Sequence, residues 1–216
     1  MNPQPKKYKP FGWRFWLLLI GCIVILCSFA FNSISFDRTR SYRAEAVSNL
    51  KQIGYALYDY QDQYGTYPND LTAKQHPSEF NLSGSSSNAI FRQLFAADIV
   101  ENEQIFYANF PRVSRPDGDI SSGHLLEKGE VAFAYIAGLS IEDKPSLPIA
   151  FGPIIPGTIR FDPKPLNGKA IVLRIDGSIS VLKLRPDGHA ISAGESLLDP
   201  DNSLWKGKAP DIRYPE

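Results

Sequence analysis

The sequence predicts an α+β fold, a long N-terminal helix followed by a strand-rich domain, and three observations predict it. Residues 15–36 carry no charge and are dense in Leu, Ile, Phe and Trp. From Ala44 to Tyr64 apolar side chains recur every three or four residues, the signature of one helical stripe. Beyond residue 130 short β-rich runs are punctuated by Gly and Pro. The chain has 216 residues, with 13 Phe, 10 Tyr and 3 Trp, which supply enough apolar surface to offset the ordering entropy of a core. Its 23 Lys and Arg balance 23 Asp and Glu, so it lacks the basic field that grips a phosphate backbone, and no nucleic-acid partner is expected.

The even balance conceals an asymmetry. Residues 1–14 hold Lys6, Lys7, Lys9 and Arg14 with no acid, leaving 19 bases against 23 acids in the remainder. A helix needs about 20 apolar residues to cross hydrocarbon, and the run from Phe15 to Phe36 is long enough. With Trp13 and Trp16 at one headgroup layer and four cations ahead of it, residues 15–36 are predicted to span a lipid bilayer with a cytoplasmic N-terminus, 1–14. Arg38, Arg40 and Arg43 follow the run, with Asp37 and Glu45 among them. Two other readings stay open. Ser28 and Ala30 form a small-x-small site before Phe31, as in a cleaved signal peptide. Leu19, Ile20, Gly21 and Cys22 have the order of a lipobox, although the apolar run continues where a polar tether should begin. Both cysteines, Cys22 and Cys27, lie inside the run, so no disulfide framework, CxxC pair or zinc site is expected in the domain.

Residues 37–67 are predicted to continue the helix as an amphipathic segment. Ala44, Val47, Leu50, Ile53, Leu57, Tyr60 and Tyr64 form the expected packing and assembly stripe, with Glu45, Ser48, Lys51, Gln52, Asp59 and Asp62 opposite. No proline separates Pro10 from Pro68, so nothing forces a break, and Gly65 is placed to end the helix as a left-handed cap.

The segment Ser48-Asn-Leu-Lys-Gln-Ile-Gly-Tyr-Ala-Leu-Tyr-Asp-Tyr-Gln-Asp-Gln-Tyr-Gly-Thr-Tyr-Pro68 closely resembles the amphipathic half of the N-terminal helix in bacterial type IV pilin-like proteins. It is most similar to the pseudopilin-like proteins of type II secretion. Phe91-Arg-Gln-Leu-Phe95, Gln104-Ile-Phe-Tyr107, Phe161-Asp-Pro-Lys-Pro165, Lys169-Ala-Ile-Val-Leu-Arg-Ile-Asp-Gly177 and Leu198-Asp-Pro200 resemble a verrucomicrobial branch of the group. The resemblance implies a membrane helix that continues into an amphipathic helix packed on a small antiparallel sheet, with residues 68–216 as a periplasmic pilin-like α+β domain. It also implies other pilin-like or secretion-system proteins as partners. Prepilins are cut after Gly, and the new N-terminus is followed by a Glu four positions on. Here the aligned residues are Pro10 and Phe15, so the resemblance implies an uncleaved, membrane-anchored relative.

After a polar loop through Ser83–Ser87, a second helix is expected, capped by Ser87 or Asn88, with Ile90, Phe91, Leu94 and Phe95 in the core. Glu130–Ile136 reads as a strand, and Ala170–Leu184 as two strands meeting at a tight turn, Asp176-Gly177. Pro186-Asp187-Gly188 forms a second turn. Six prolines between Pro145 and Pro165 allow either an edge-hugging loop or very short strands, with an extended, rigid connection preferred, and the tail with Pro210 and Pro215 is expected to drape or fray.

Catalytic signals are sparse. His76, His124 and His189 are isolated in sequence, and the acid pairs Glu101/Glu103 and Asp117/Asp119 have no spacing that fixes a reaction geometry. Asp117/Asp119 and Asp199/Asp201, the latter with Asn202, have calcium-loop chemistry but no EF-hand spacing. The sequence therefore points to a structural or interaction protein, not an enzyme, with no cofactor. The alternative is a membrane-tethered periplasmic module binding a small molecule or glycan, with Tyr55, Tyr58 or Tyr67 as stacking platforms.

Overall fold

The computed structural model describes residues 12–76, 78–82 and 84–216, with the side chains of 14, 27–37 and 78 outside that description. Helix α1 (Trp13–Tyr64) contributes to two compact units, Met1–Thr39 and Arg40–Glu216, each described by itself. Among the described residues no helix is both long and apolar enough to cross a membrane. The second half of the expected span, residues 27–36, has its side chains outside the described set, and so do residues 1–11.

In the larger unit α1 is amphipathic, as its sequence requires. Ala46, Leu50, Ile53, Leu57 and Tyr60 are buried, and Val47 and Tyr64 pack partly against the core. Ala44 is exposed, and Ala46 lies on the inner face instead. Two successive steps of three residues each fall short of a 3.6-residue turn, so a stripe drawn from Ala44 through Val47 drifts off the face that Leu50 and Ile53 define. Gly54 sits in the same face, where an added Cβ would stand 3.1 Å from Leu173 Cδ1. Gly65 (φ +72°) closes the helix, its N–H donating to Gln61 O at 2.8 Å.

Helix α2 (Ser87–Ala96) buries Ile90, Phe91, Leu94 and Phe95. Its cap is Ser86, one residue before the expected position, whose side chain accepts from Ala89 N. Ser87 and Asn88 are buried, and Asn88 donates to Leu126 O and Glu127 O while accepting from Glu216 N.

Seven strands follow: β1 (Ala134–Ala137), β2 (Pro148–Gly152), β3 (Lys169–Arg174), β4 (Ile179–Lys183), β5 (Ile191–Ser192), β6 (Glu195–Ser196) and β7 (Asp211–Arg213). Five form one antiparallel sheet in the order β4-β3-β2-β1-β7, and β5 and β6 form a small hairpin. Two expectations are corrected here. The proline-rich span contains β2, the middle strand of the sheet, buried at every position. It accommodates Pro148 because that proline is the first strand residue and stands at a register irregularity against β3, where a missing N–H costs no regular ladder bond. The C-terminal tail likewise neither frays nor drapes, because Arg213, Ile212 and Asp211 pair with Tyr135, Ile136 and Ala137 as an edge strand.

The β3–β4 turn spans the four residues 175–178, in which Gly177 N donates to Arg174 O at 3.0 Å and Gly177 takes φ +74°. Pro186-Asp187-Gly188 repeats the chemistry between β4 and Ala190, with Gly188 at φ +87°. In both turns the aspartate accepts from the N–H two residues on, Ser178 and His189.

Candidate functional site

In the smaller unit, residues Trp13–Leu26 of α1 hold large apolar side chains on every face of the helix. Trp13, Leu18 and Leu26 are 70%, 71% and 68% exposed, and Trp16, Leu17, Ile20, Ile23, Val24 and Ile25 are more than half exposed or at half. An amphipathic surface helix would hide one face, whereas here apolar side chains are exposed around the helix, the pattern of an apolar surface with no cover among the described residues. Those 14 residues span roughly 21 Å at about 1.5 Å each, short of the roughly 30 Å of a bilayer core.

In the larger unit the outer face of α1 is graded in charge. Arg40 and Lys51 come first, then Asp59 and Asp62, with Tyr55 exposed between them and Lys51 Nζ 5.8 Å from its ring centroid. Asp59 and Asp62 line a shallow depression with Asp98 and Ile99. The helix is held on its domain by polar ties as well as by the stripe. Asn49 Nδ2 donates to Gln104 O and Tyr107 O at 3.0 and 2.9 Å, and Glu45 faces Arg115 at 3.6 Å.

A buried polar cluster sits where the helix ends. Tyr60 Oη lies 2.7 Å from His76 Nε2 and 3.2 Å from Gln93 Oε1, which also accepts from Thr72 Oγ1 at 2.8 Å. Tyr60 stacks on Tyr64, ring centroids 4.4 Å apart, and His76 packs 4.9 Å from Tyr64. Burial pushes the Tyr60 phenol up to about 12 and lowers the His76 imidazole below its ordinary value. The sequence carries a partial signal for this cluster, Tyr60 and Tyr64 one turn apart. Gln93 gave none, since a glutamine between Phe91 and Phe95 reads as surface until its partners Asn69 and Thr72 are in place.

The remaining candidate residues are dispersed. Glu103 is buried, accepting from Leu126 N at 2.6 Å and Gly118 N at 3.2 Å, and burial raises its carboxyl, whereas Glu101 is exposed. Asp117 and Asp119 accept from the backbone N–H groups of Asp119 and Ser121, which shapes their own loop. Asp199 accepts likewise from Asp201 N, and Asn202 ties Ser196 O to Leu204 N. Among the described residues no group of three or more His, Cys, Asp or Glu side chains is arranged to hold a metal ion. His124 pairs with Glu127 at 2.9 Å on the surface, which raises its imidazole. His189 Nδ1 stands 2.9 Å from Ser196 Oγ, a contact that pins β6 to the turn before β5. Tyr67 is buried, Tyr58 covers Gly177 and bonds Ile175 O, and Tyr55 alone of the three is freely exposed.

No family model, curated protein or solved structure matches this chain. The chain's own surfaces carry the functional signal: an apolar helical segment exposed around the helix, and a charged helix face on a well-tied domain.

Proposed function

We propose that this chain is a membrane-anchored, pilin-like structural or interaction protein of the bacterial inner membrane, an uncleaved accessory of a type II secretion or type IV pilus-like system. Residues 1–14 lie in the cytoplasm, 15–36 in the bilayer, and the domain from residue 68 in the periplasm, with 37–67 joining them. The observation that carries the reading is the apolar exposure of Trp13–Leu26 on all faces. Burying a large aliphatic side chain is worth about 1.5–3 kcal/mol, so transferring this many from water into lipid is strongly favourable. The likeness of residues 48–68 to pilin-like helices supports the rest, together with the charge grading of the outer face, which suits contact with like helices. The mechanism is non-covalent: the first half of the helix anchors, the inner stripe fixes the domain to the helix, and the outer face meets partners.

Of the tyrosines that the stacking-platform alternative invokes, Tyr67 belongs to the core and Tyr58 is spent on the β3–β4 turn, which leaves Tyr55 alone on the helix surface. The test is photocrosslinking in native membranes from position 51 or 55, with products identified by mass spectrometry. Crosslinks to pilin-like or secretion proteins are expected, and a chain recovered only as a monomer at every crosslinking position contradicts the proposal.

A further inference from the structure

A cleft of about 930 Å³ opens at the end of the sheet away from the β3–β4 turn, lined by the segments 110–114, 128–132, 153–156, 162–164 and 215–216 and by no residue of α1. Its size is that of pockets that enclose small organic ligands. The proposed anchor and helix face make no use of it.

The cleft is built rather than left over. Pro111, Pro153, Pro156, Pro163 and Pro215 form much of its wall, and each fixes its own φ, so the wall resists collapse. Backbone bonds staple the segments together: Ser114 N to Gly129 O at 2.7 Å, Gly129 N to Glu216 O at 2.9 Å, and Asp162 N to Pro153 O at 3.0 Å. The Phe110 ring lies so close over Gly152 that an added Cβ there would meet it at 2.8 Å and Ala132 O at 3.1 Å. Phe110, Val131 and Ile154 lie buried beneath its floor, and Val113 and Ile155 supply the accessible apolar surface, the latter 40% exposed to solvent.

Charge decides what fits. Arg112, Lys128 and Lys164 line the cleft as exposed cations, and among the described residues none of them is in an ion pair. They stand on a unit whose acids outnumber its bases, 22 against 18 over residues 40–216. Two acids, Asp162 and Glu216, also line the cleft, so the cations outnumber them three to two: Asp162 Oδ1 accepts from Lys164 N at 2.9 Å, and the charge of Glu216 also acts on the half-buried Arg92 guanidinium. Arg112 is also held at φ +68°, a left-handed conformation that costs a non-glycine residue about 1 kcal/mol or more and is concentrated at ligand sites.

We propose that this cleft binds a small amphipathic anion, with its apolar body on Val113 and Ile155 and its carboxylate, sulfonate or phosphate group held by Arg112, Lys128 and Lys164. The proposal is independent of membrane anchoring and of any pilin-like role, so neither stands or falls with the other.

The test is calorimetric titration of the full chain, in nanodiscs of zwitterionic lipid with empty nanodiscs subtracted or, where the chain stays in solution without lipid, in buffer alone. Three probes share one ring system: 2-naphthoate, neutral 2-naphthalenemethanol and cationic 2-naphthylmethylamine. Saturable binding of one naphthoate per chain is expected, at least about tenfold tighter than either analogue and weakened by salt. The double variant Arg112→Ala/Lys128→Ala should lose about tenfold and most of the salt dependence. Ile155→Trp, which fills the cleft from a solvent-exposed position, should block all three probes, and Lys208→Ala, which lies outside the cleft, should change nothing. Equal binding of the three probes, naphthoate affinity indifferent to the double variant, or no saturable binding overturns the proposal. So does binding of an acidic peptide where naphthoate fails, which would assign the cleft to a protein partner.

Discussion

Gly54 and His76 set the two most informative single-residue tests. At Gly54 an added Cβ would press on Leu173 Cδ1 at 3.1 Å, but that methyl is the end of a flexible side chain. Gly54→Ala should therefore be close to neutral in urea unfolding, because the helix propensity it gains, about 1 kcal/mol, offsets the shift it demands. Gly54→Leu should cost about 1–3 kcal/mol through overpacking; unchanged stability would mean that the helix does not dock on β3. His76 governs a pH effect. Burial lowers its folded pKa below 6.5, so below that value the unfolded chain binds more protons, and stability falls as pH drops through 6.5 toward the folded value. The difference in urea midpoint between about pH 7.5 and about pH 5.5 should shrink in His76→Gln, and an unchanged difference would remove His76 from the account. Glu103 acts oppositely: its raised carboxyl contributes stability present at or below about 4.5 that is lost as pH rises through the folded value. At this scale the sequence named Leu50, Ile53, Leu57 and Tyr60 as inward, because each follows the last by three or four residues in alternation. It did not reveal that His76 closes on Tyr60, since that contact is made by a loop whose path no periodicity encodes.

The hairpin turns were legible as elements because Asp-Gly has one strong backbone use, and the structure adds a ranking between them. A Cβ on Gly177 would meet the edge of the Tyr58 side chain at 3.2 Å, whereas one on Gly188 would meet the backbone oxygen of Phe161 at 3.0 Å. Gly177→Ala should cost about 1–2 kcal/mol from its φ alone, and Gly188→Ala should cost more, about 2–3 kcal/mol, because backbone cannot step aside. Thermal melts of the two variants check the order; equal losses would mean that φ strain dominates both. Strands β2 and β7 were not legible. β2 is five residues flanked and entered by proline, and only its neighbours on both sides show it to be central. β7 is three residues whose partner, β1, lies more than 70 positions earlier. Removing Asp211–Glu216 takes away that pairing, the Arg213 bridges to Asp70 and Asp211, and the Asn88 bond to the chain's last residue. A fall in melting temperature of about 10 °C or more is expected, as befits several lost kcal/mol, and a fall of a degree or two would show that the tail carries no weight.

Across the whole molecule, composition alone announced a chain of two characters, an apolar leading segment and a mildly acidic domain. The antiparallel α+β class followed from the stripe, the hairpin signal and the resemblance; the order of the strands did not, because register between distant segments leaves no local mark. The candidate cleft was invisible in the sequence, being assembled from five separate segments that meet only after the sheet has formed. The claim on which the functional account depends is that Trp13–Leu26 and the residues after it reside in lipid. Flotation of the full chain, refolded with phosphatidylethanolamine/phosphatidylglycerol vesicles and then washed with carbonate at high pH, tests it most directly. The account predicts that the chain rises with the vesicles and survives the wash, while a Leu18→Lys/Ile23→Lys variant remains below. A wild-type chain that stays folded and at the bottom of the gradient would contradict it.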